Sequence, residues 1–449
     1  MTDQHQNVVF DYGIEDRMPL TRTTLFGFQH LLALTGIWIF PVLIGQALSL
    51  TAQQTGYIIQ ACFLTTGLVT ILQSGRFLKL PVVQGPTAAF FVAVLAAGQD
   101  EGLGVAFGSM VVAALIFMLL SVPVGRMGLM GNLIRYISPP IVYGTLMVII
   151  GAQLASIGLQ GWFGTPDTPA FGVASFITAC LTVLIILSCM TMARKGLLRR
   201  GALLWGIIGG SLIALLTGIS PLPDTASASA IGVPKLLPFG FGVSAPIVAL
   251  MLLAFLQAGA EAMGMYTLLA DWGGQPLDTK RVNRGLFTEF LGSASGALFG
   301  GLGTTSYPEN VGIIRLSRVG SRFVTLAAGV FAVALSCLPQ FALFIAGLPG
   351  AVLSAASTVL FGTIAISGIQ MLARIDWDEY NIAVAAPSFI ISLGTQFLPQ
   401  EVVALFPDSL ESILTQPMMV GIVLLMALNY LVNFQLRPMM EKRKEEKKI

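Results

Sequence analysis

Residues 304–318 read TTSYPENVGIIRLSR. A polar, extended-looking run ends at Pro308, which suits the first position of a helix because its missing N–H has no partner there in any case. A short helix follows. Residues 80–91, LPVVQGPTAAFF, repeat the arrangement. Pro81, Gly85 and Pro86 oppose a regular helix, while Val82, Val83 and the turn Gln84-Gly85-Pro86-Thr87 suggest a short extended piece leading into one. Irregular backbone at membrane depth survives where protein or a wet cavity satisfies its polar groups. A half-helix beginning there offers free N–H groups and a positive dipole end. Two such breaks at corresponding positions of inverted halves point to a midplane binding site. The plainer reading is two proline kinks with no ligand, but the polar residues cluster at these breaks and not elsewhere.

The surrounding chain is membranous. Of 449 residues, 55% are hydrophobic and 10% charged, against roughly 25% charged in soluble domains. Such a chain cannot cover a water-facing surface of its size. Many apolar runs reach the ~20 residues that cross a bilayer as a helix. The 49 glycines suit helices whose backbones approach closely. Cys62, Cys180, Cys189 and Cys337 all lie in apolar runs and read as small buried hydrophobes. The first 20 residues are polar and acidic, so no cleavable signal peptide is expected.

Apolar runs bounded by charge or Pro/Gly clusters define fourteen segments. The first seven are 24–44, 55–73, 81–98, 104–124, 137–158, 172–192 and 202–218. The second seven are 246–270, 285–303, 304–320, 323–345, 350–372, 380–398 and 417–435. With the N-terminus in the cytoplasm, 23 of the 24 Lys and Arg residues fall on the cytoplasmic side, and Lys235 alone lies outside. A wrong span count would reverse every later loop and destroy this segregation. Both termini are therefore expected to be cytoplasmic. The long outer connection 219–245 separates two groups of seven, and Thr87 stands 223 residues before Asn310. Because seven is odd, the second group enters from the opposite side. The expected fold is an all-α, polytopic 7+7 inverted repeat, with extended breaks in segments 3 and 10, as in many secondary transporters.

Three acids, Glu261, Glu289 and Glu309, fall inside segments. A charged acid near the bilayer centre costs at least ~2.5 kcal/mol and needs a partner or a proton. Glu261 and Glu309 sit on equivalent sides of the inter-repeat cavity and suit a planar polar ligand that donates N–H bonds. Burial and a neighbouring carboxylate also fit them for proton uptake. Glu289 reads first as structural, fixing the adjacent half-helix. His30, beside Gln29, is an interhelical hydrogen-bond member or, if it faces Glu261, part of a relay. The stretch GALFGGLG (296–303) lacks the following Lys-Ser/Thr of a phosphate loop and reads as close helix packing. No metal or hydrolase constellation appears, so no cofactor, metal, enzyme activity or nucleic-acid partner is expected.

At these residues the chain resembles the nucleobase–ascorbate transporter family. The family's span-ten signature stands as Glu309-Asn310-Val311-Gly312, then Ser317-Arg318 after four residues. Gln29-His30 in span one, Glu261-x-x-Gly264 in span eight and Glu289 in span nine are also similar, and the resemblance covers nearly the whole chain. It implies a proton symporter that imports a nucleobase, a uracil-type pyrimidine first and a xanthine- or urate-type purine second, by an elevator-like rocking motion. It also implies a homodimer in the bacterial inner membrane. Glu261 and Glu309 would hold the base, helped by backbone amides beside Ala89 and Phe90, with Tyr307 and Asn310 nearby. Glu261, Glu309, His30, Gln29 and Glu289 would couple the proton.

The implied division is a cytoplasmic tail 1–23, core domain 24–124 and 246–345, and gate domain 125–218 and 346–435. The connection 219–245 and a cytoplasmic tail 436–449 complete it. Three residues depart from the family pattern: Met265 where a His or Asp is common, Pro308 without an N–H, and Ser317 for Thr. Alternatives are sodium coupling, or an anion exchanger of the same fold, which two glutamates at the site disfavour. A lipid or prenyl transferase would need Asp-rich metal motifs that are absent. A passive channel would lack saturable competition by free bases.

Overall fold

The computed structural model describes residues 10–122, 128–137, 139–164, 170–192, 197–220, 223–226, 228–407 and 414–446. Residues 1–9 and 447–449 of the expected tails, 123–127 around the expected core–gate boundary, and Arg194 and Lys195 lie outside the described residues.

The first half contains α1 (Leu20–Leu32), α2 (Thr35–Ala47), α3 (Ala52–Leu72), α4 (Ala88–Asp100) and α5 (Leu103–Leu120). It continues with α6 (Leu129–Ile137), α7 (Pro140–Gln160), α8 (Val173–Thr191), α9 (Leu197–Arg200) and α10 (Ala202–Leu216). The second half contains α11 (Ala245–Trp272), α12 (Thr279–Leu298), α13 (Pro308–Ser317), α14 (Arg322–Ser336), α15 (Pro339–Ala346), α16 (Gly350–Leu372) and α17 (Glu379–Gly394). A last apolar helix spans Pro417–Asn429. Each of the fourteen expected segments contains a helix. Among the described residues, eight helices are long and apolar enough to cross a membrane, and α14 with α15 makes a ninth candidate.

Two segments expected to be continuous are broken. Segment 11 bends by 86° between α14 and α15. Pro339 opens α15, and a proline both removes an N–H and disfavours helix in the residue before it. Segment 1 divides at Ala33–Leu34. The offset chain brings Gly36 against Tyr307, whose hydroxyl occupies the space a Cβ on Gly36 would need.

The expected extended pieces are strands, and they pair with each other. β1 (Gln84–Pro86) runs antiparallel to β2 (Thr304–Ser306), with Gly85 opposite Thr305. The ladder extends beyond both strands. Tyr307 N donates to the Val83 carbonyl at 2.9 Å, and Thr87 N donates to the Gly303 carbonyl at 3.4 Å. This register makes Thr87 the counterpart of Tyr307, each at the N-cap of its half-helix. The sequence spacing had matched Thr87 to Asn310. Lengths of apolar runs fix such an offset to within a helical turn, whereas backbone hydrogen bonds fix it to the residue.

Glycines set the closest helix crossings. A Cβ on Gly67 of α3 would lie 2.6 Å from the Gly329 carbonyl of α14, and one on Gly329 would lie 2.9 Å from the Gly67 carbonyl. Gly144 of α7 and Gly368 of α16 repeat this, at 3.2 and 2.5 Å. In lipid, where apolar burial gives little drive, such close packing carries association. The helices sort into two packing groups. In one, α3 packs on α14, α15 and α12, and α5 packs on α11, α12 and α4. In the other, α7 packs on α16, α17 and Pro417–Asn429, and α8 packs on α10 and α16. α2 meets α16 across the boundary.

The N-terminal stretch straps the turn between α13 and α14. Asp11 N donates to the Arg318 carbonyl, Gly320 N to Tyr12 and Arg322 N to Ile14. Arg322 grips Glu15 through two nitrogens at 2.8–3.0 Å and donates to the Ser74 and Gly75 carbonyls. The hydrogen-bonded Arg322 guanidinium holds the Glu15 carboxyl below its ordinary range.

Candidate functional site

Both half-helices begin at the strand ladder, so their first turns face one place from opposite directions. A cavity of roughly 200 Å³ lies there. Thr87 and Ala88 of the first repeat and Tyr307, Pro308 and Glu309 of the second line it. Glu261 and Gln257 on α11 close one wall, and Met147, Ile150, Thr363 and Ser367 on α7 and α16 form the facing wall. The cavity therefore sits on the boundary between the two packing groups.

Its polar groups are held from behind. The buried Glu261 carboxylate accepts a hydrogen bond from Thr87 Oγ1 at 3.2 Å. Tyr307 OH donates to the Pro86 carbonyl at 3.0 Å, which ties the N-cap of α13 to β1. Pro308 occupies the first position of α13, where an N–H would have no intrahelical acceptor, so the helix loses nothing by it. Gln257 stands one turn before Glu261 on the same face, buried, and its Oε1 has no hydrogen-bond partner among the described residues.

Of the residues singled out from sequence, Glu261, Glu309 and Tyr307 line the cavity. Ala89 and Phe90 are fully buried in the first turn of α4, and the Phe90 ring packs on Phe255 at 4.5 Å between centroids. Any contact they make with a ligand is through backbone. Asn310 is buried one residue beyond Glu309 and does not line the cavity. Gln29 and His30 are buried at the end of α1 and do not line it either.

Glu289 belongs to a separate network behind the ladder. Gln84 Nε2 donates to Gln73 Oε1, Ser306 Oγ and Glu289 Oε2, at 2.7, 2.9 and 3.3 Å. Tyr266 OH donates to the same Glu289 oxygen at 3.0 Å, and Gln73 Nε2 donates to Tyr266 OH at 2.8 Å. All these groups are buried. Gln73 opens a π-helical turn at the end of α3, Gln73–Phe77, a feature that often marks functional regions.

The sequence reading missed Gln257, Thr363 and Ser367. Gln257 had a signal, its spacing of four residues from Glu261 on a helix. Thr363 and Ser367 had none, because isolated hydroxyls in membrane helices usually bond their own backbone. Thr363 Oγ1 and Ser367 Oγ do so, to the Leu360 and Thr363 carbonyls.

The sequence profile of Xan_ur_permease, described as a permease family, matches residues 21–401. The chain belongs to that family. This is the nucleobase–ascorbate transporter family that the span-ten motif resembles, and its members are transporters. The xanthine permease of Bacillus subtilis is 29% identical over 92% of this chain and 94% of the relative. The nucleobase transporter PlUacP of Paenibacillus larvae is 30% identical over 92% of this chain and 95% of its own length. Among solved structures, the transmembrane domain of the cyanobacterial bicarbonate transporter BicA matches with a TM-score of 0.62. That match covers 93% of this chain and all of that domain at 14% identity, so it speaks to the fold. The chain is thus a multi-pass membrane permease with the inverted-repeat transporter fold.

Proposed function

We propose that this permease imports a xanthine- or urate-type purine nucleobase across the bacterial inner membrane by proton symport. The observation that carries this is the meeting of Glu261, from α11, and Glu309, from the first turn of α13, in one small cavity. Two carboxylates accept N–H bonds from a planar base, and the apolar wall of Phe40, Met147 and Ile150 suits its ring face. The sequence reading placed uracil first. The purine names of relatives such as the xanthine permease move the weight to a purine.

The charge segregation supports fourteen crossings with both termini in the cytoplasm. Packing supports a core domain of segments 1–4 and 8–11 and a gate domain of segments 5–7 and 12–14, moving as rigid bodies in a homodimer. The strand ladder lies within the core domain, so both half-helices and both glutamates would travel together. Glu261, and Glu309 beside it, are the groups we assign to the coupling proton, with Glu289, Gln29 and His30 further from the ligand.

The test is uptake of radiolabelled xanthine in cells and proteoliposomes. A protonophore should collapse it, and unlabelled urate should compete. Uptake that ignores the proton gradient and requires sodium would overturn the symport assignment. Glu261→Gln and Glu309→Ala should each reduce binding at least about 100-fold, since each removes charge-assisted hydrogen bonds. Near-normal affinity in either, in protein that still runs as a single species, would overturn the site.

A further inference from the structure

A second cavity, of about 480 Å³, lies on the same helices as the central one. Along α7, Met147 and Ile150 line the central cavity, and Gln153, Ile157 and Gln160 line the second. Along α2 the order is Phe40, then Leu43 and Gln46, and along α4 it is Ala88, then Val92, Leu95 and Gln99. The second cavity is thus stacked on the first, toward the end of the molecule that carries no basic cluster. By the charge segregation this is the outer side.

Three stacked rings stand on the helices that the two cavities share. Phe40 and Phe91 stack at 5.1 Å between centroids, and Phe361 of α16 stacks on them at 6.4 and 6.5 Å. All three are buried. They bridge the two packing groups, and Phe40 lines the central cavity as well. A cavity of about 320 Å³ shares Glu309, Leu360 and Thr363 with the central one and reaches Arg199 on the basic face.

Five glutamines, Gln46, Gln99, Gln153, Gln160 and Gln416, line the outer cavity. Gln153 is fixed: its Nε2 donates to Gln416 Oε1 at 3.0 Å, and its Oε1 accepts from Met418 N at 2.9 Å. Gln46, Gln99 and Gln160 are exposed, and their carboxamides make no hydrogen bond among the described residues. A carboxamide presents a donor and an acceptor in one plane, the pattern of a lactam edge. It carries no charge, so it neither repels a neutral heterocycle nor holds it tightly. Leu43, Val92, Leu95 and Ile157 offer an apolar bed for the ring.

We propose that this outer chamber is a second, weaker subsite for a planar neutral heterocycle with N–H and C=O edges, occupied on the way to the central cavity. The ligand class rests on the nucleobase reading of the central cavity.

Ala47 is exposed and lines the chamber without bonding in it, which makes Ala47→Cys a reporter. Intact cells carrying it are treated with a membrane-impermeant maleimide, against the parent chain as background. Xanthine should slow labelling, with half-protection at least ten-fold above the uptake KM. The protection should persist when Glu261→Gln and Glu309→Ala have abolished central binding, measured by equilibrium dialysis. It should weaken several-fold in Gln99→Leu/Gln160→Leu. Absence of protection, or its loss with the two glutamates, overturns the subsite, as does indifference to the glutamine changes. Failure of the parent chain to take up any base strikes the nucleobase reading itself and is seen in a separate measurement.

Discussion

Thr87 and Glu261 join the two repeats by a side-chain hydrogen bond of 3.2 Å. Thr87 also caps α4, its hydroxyl accepting from Ala89 N at 3.4 Å. One hydroxyl thus orients a carboxylate and starts a half-helix. Thr87→Val keeps the shape and removes both bonds. The expected result is a roughly ten-fold rise in the dissociation constant for xanthine, since one hydrogen bond to a charged group contributes about 1.5 kcal/mol. Thr87→Ser should keep most of the affinity. Calorimetric titration of purified protein checks this, and equal affinities for Val and wild type would refute the orienting role.

Gln84 is the hub that ties β1 to Gln73, Ser306 and Glu289. Gln84→Leu leaves the buried Glu289 and Gln73 short of a partner, which costs about 1–3 kcal/mol for each unsatisfied group. The thermal midpoint of the solubilised protein should fall accordingly. Because the network lies behind the ladder, ligand affinity should fall too. A variant as stable as the parent would show that the network relaxes around the loss.

Gly368 lets α16 lie on the Gly144 carbonyl of α7. Gly368→Ala forces the pair apart and should destabilise by about 1–3 kcal/mol. Gly362 is on the same helix with nothing within 4 Å of its Cβ position. Gly362→Ala should be neutral or slightly stabilising, by helix propensity. Parallel thermal melts of the two decide the matter, and identical midpoints would contradict the packing argument.

The N-terminal strap should loosen in acid. Glu15 has a lowered carboxyl pKa in the folded chain, so its pairing with Arg322 is fully present above the ordinary carboxylate range. That contribution is lost as pH falls through the lowered folded value. Glu15 is more than half exposed, so the effect is local rather than global. Hydrogen-exchange protection of residues 11–16, taken against the intrinsic amide rate at each pH, should fall at acid pH, and Glu15→Gln should lower it at neutral pH as well. Exchange that is equally slow in the variant would rule out the ion pair as the clasp.

Cost made the acids legible. Glu261 and Glu309 stood out because a carboxylate is expensive inside a bilayer, and prolines and glycines marked both breaks. Neutral polar residues carry no such flag. The Gln73–Tyr266 bond spans 193 residues, and no local pattern announces it. Three-residue strands are too short for periodicity to reveal, so their pairing, and with it the equivalence of Thr87 and Tyr307, emerges from the ladder alone. Gln29 and His30 were legible as membrane polar residues, but their sequence did not say which face of α1 looks toward the cavity.

The ladder also constrains how the protein is made. Gln84 and Ser306 are 222 residues apart. At roughly 5–20 residues per second, β1 waits on the order of 10–40 s for its partner strand to be synthesised. During that interval its backbone N–H and C=O groups have no sheet to join, and bare lipid cannot satisfy them. Segment 3 must therefore be sheltered, by the insertion machinery or at the membrane surface, until the second repeat arrives. The cavity proposed for the ligand is assembled late in biogenesis, and a chain truncated before Thr304 would enter the membrane without the second half-helix and with no strand to pair with β1.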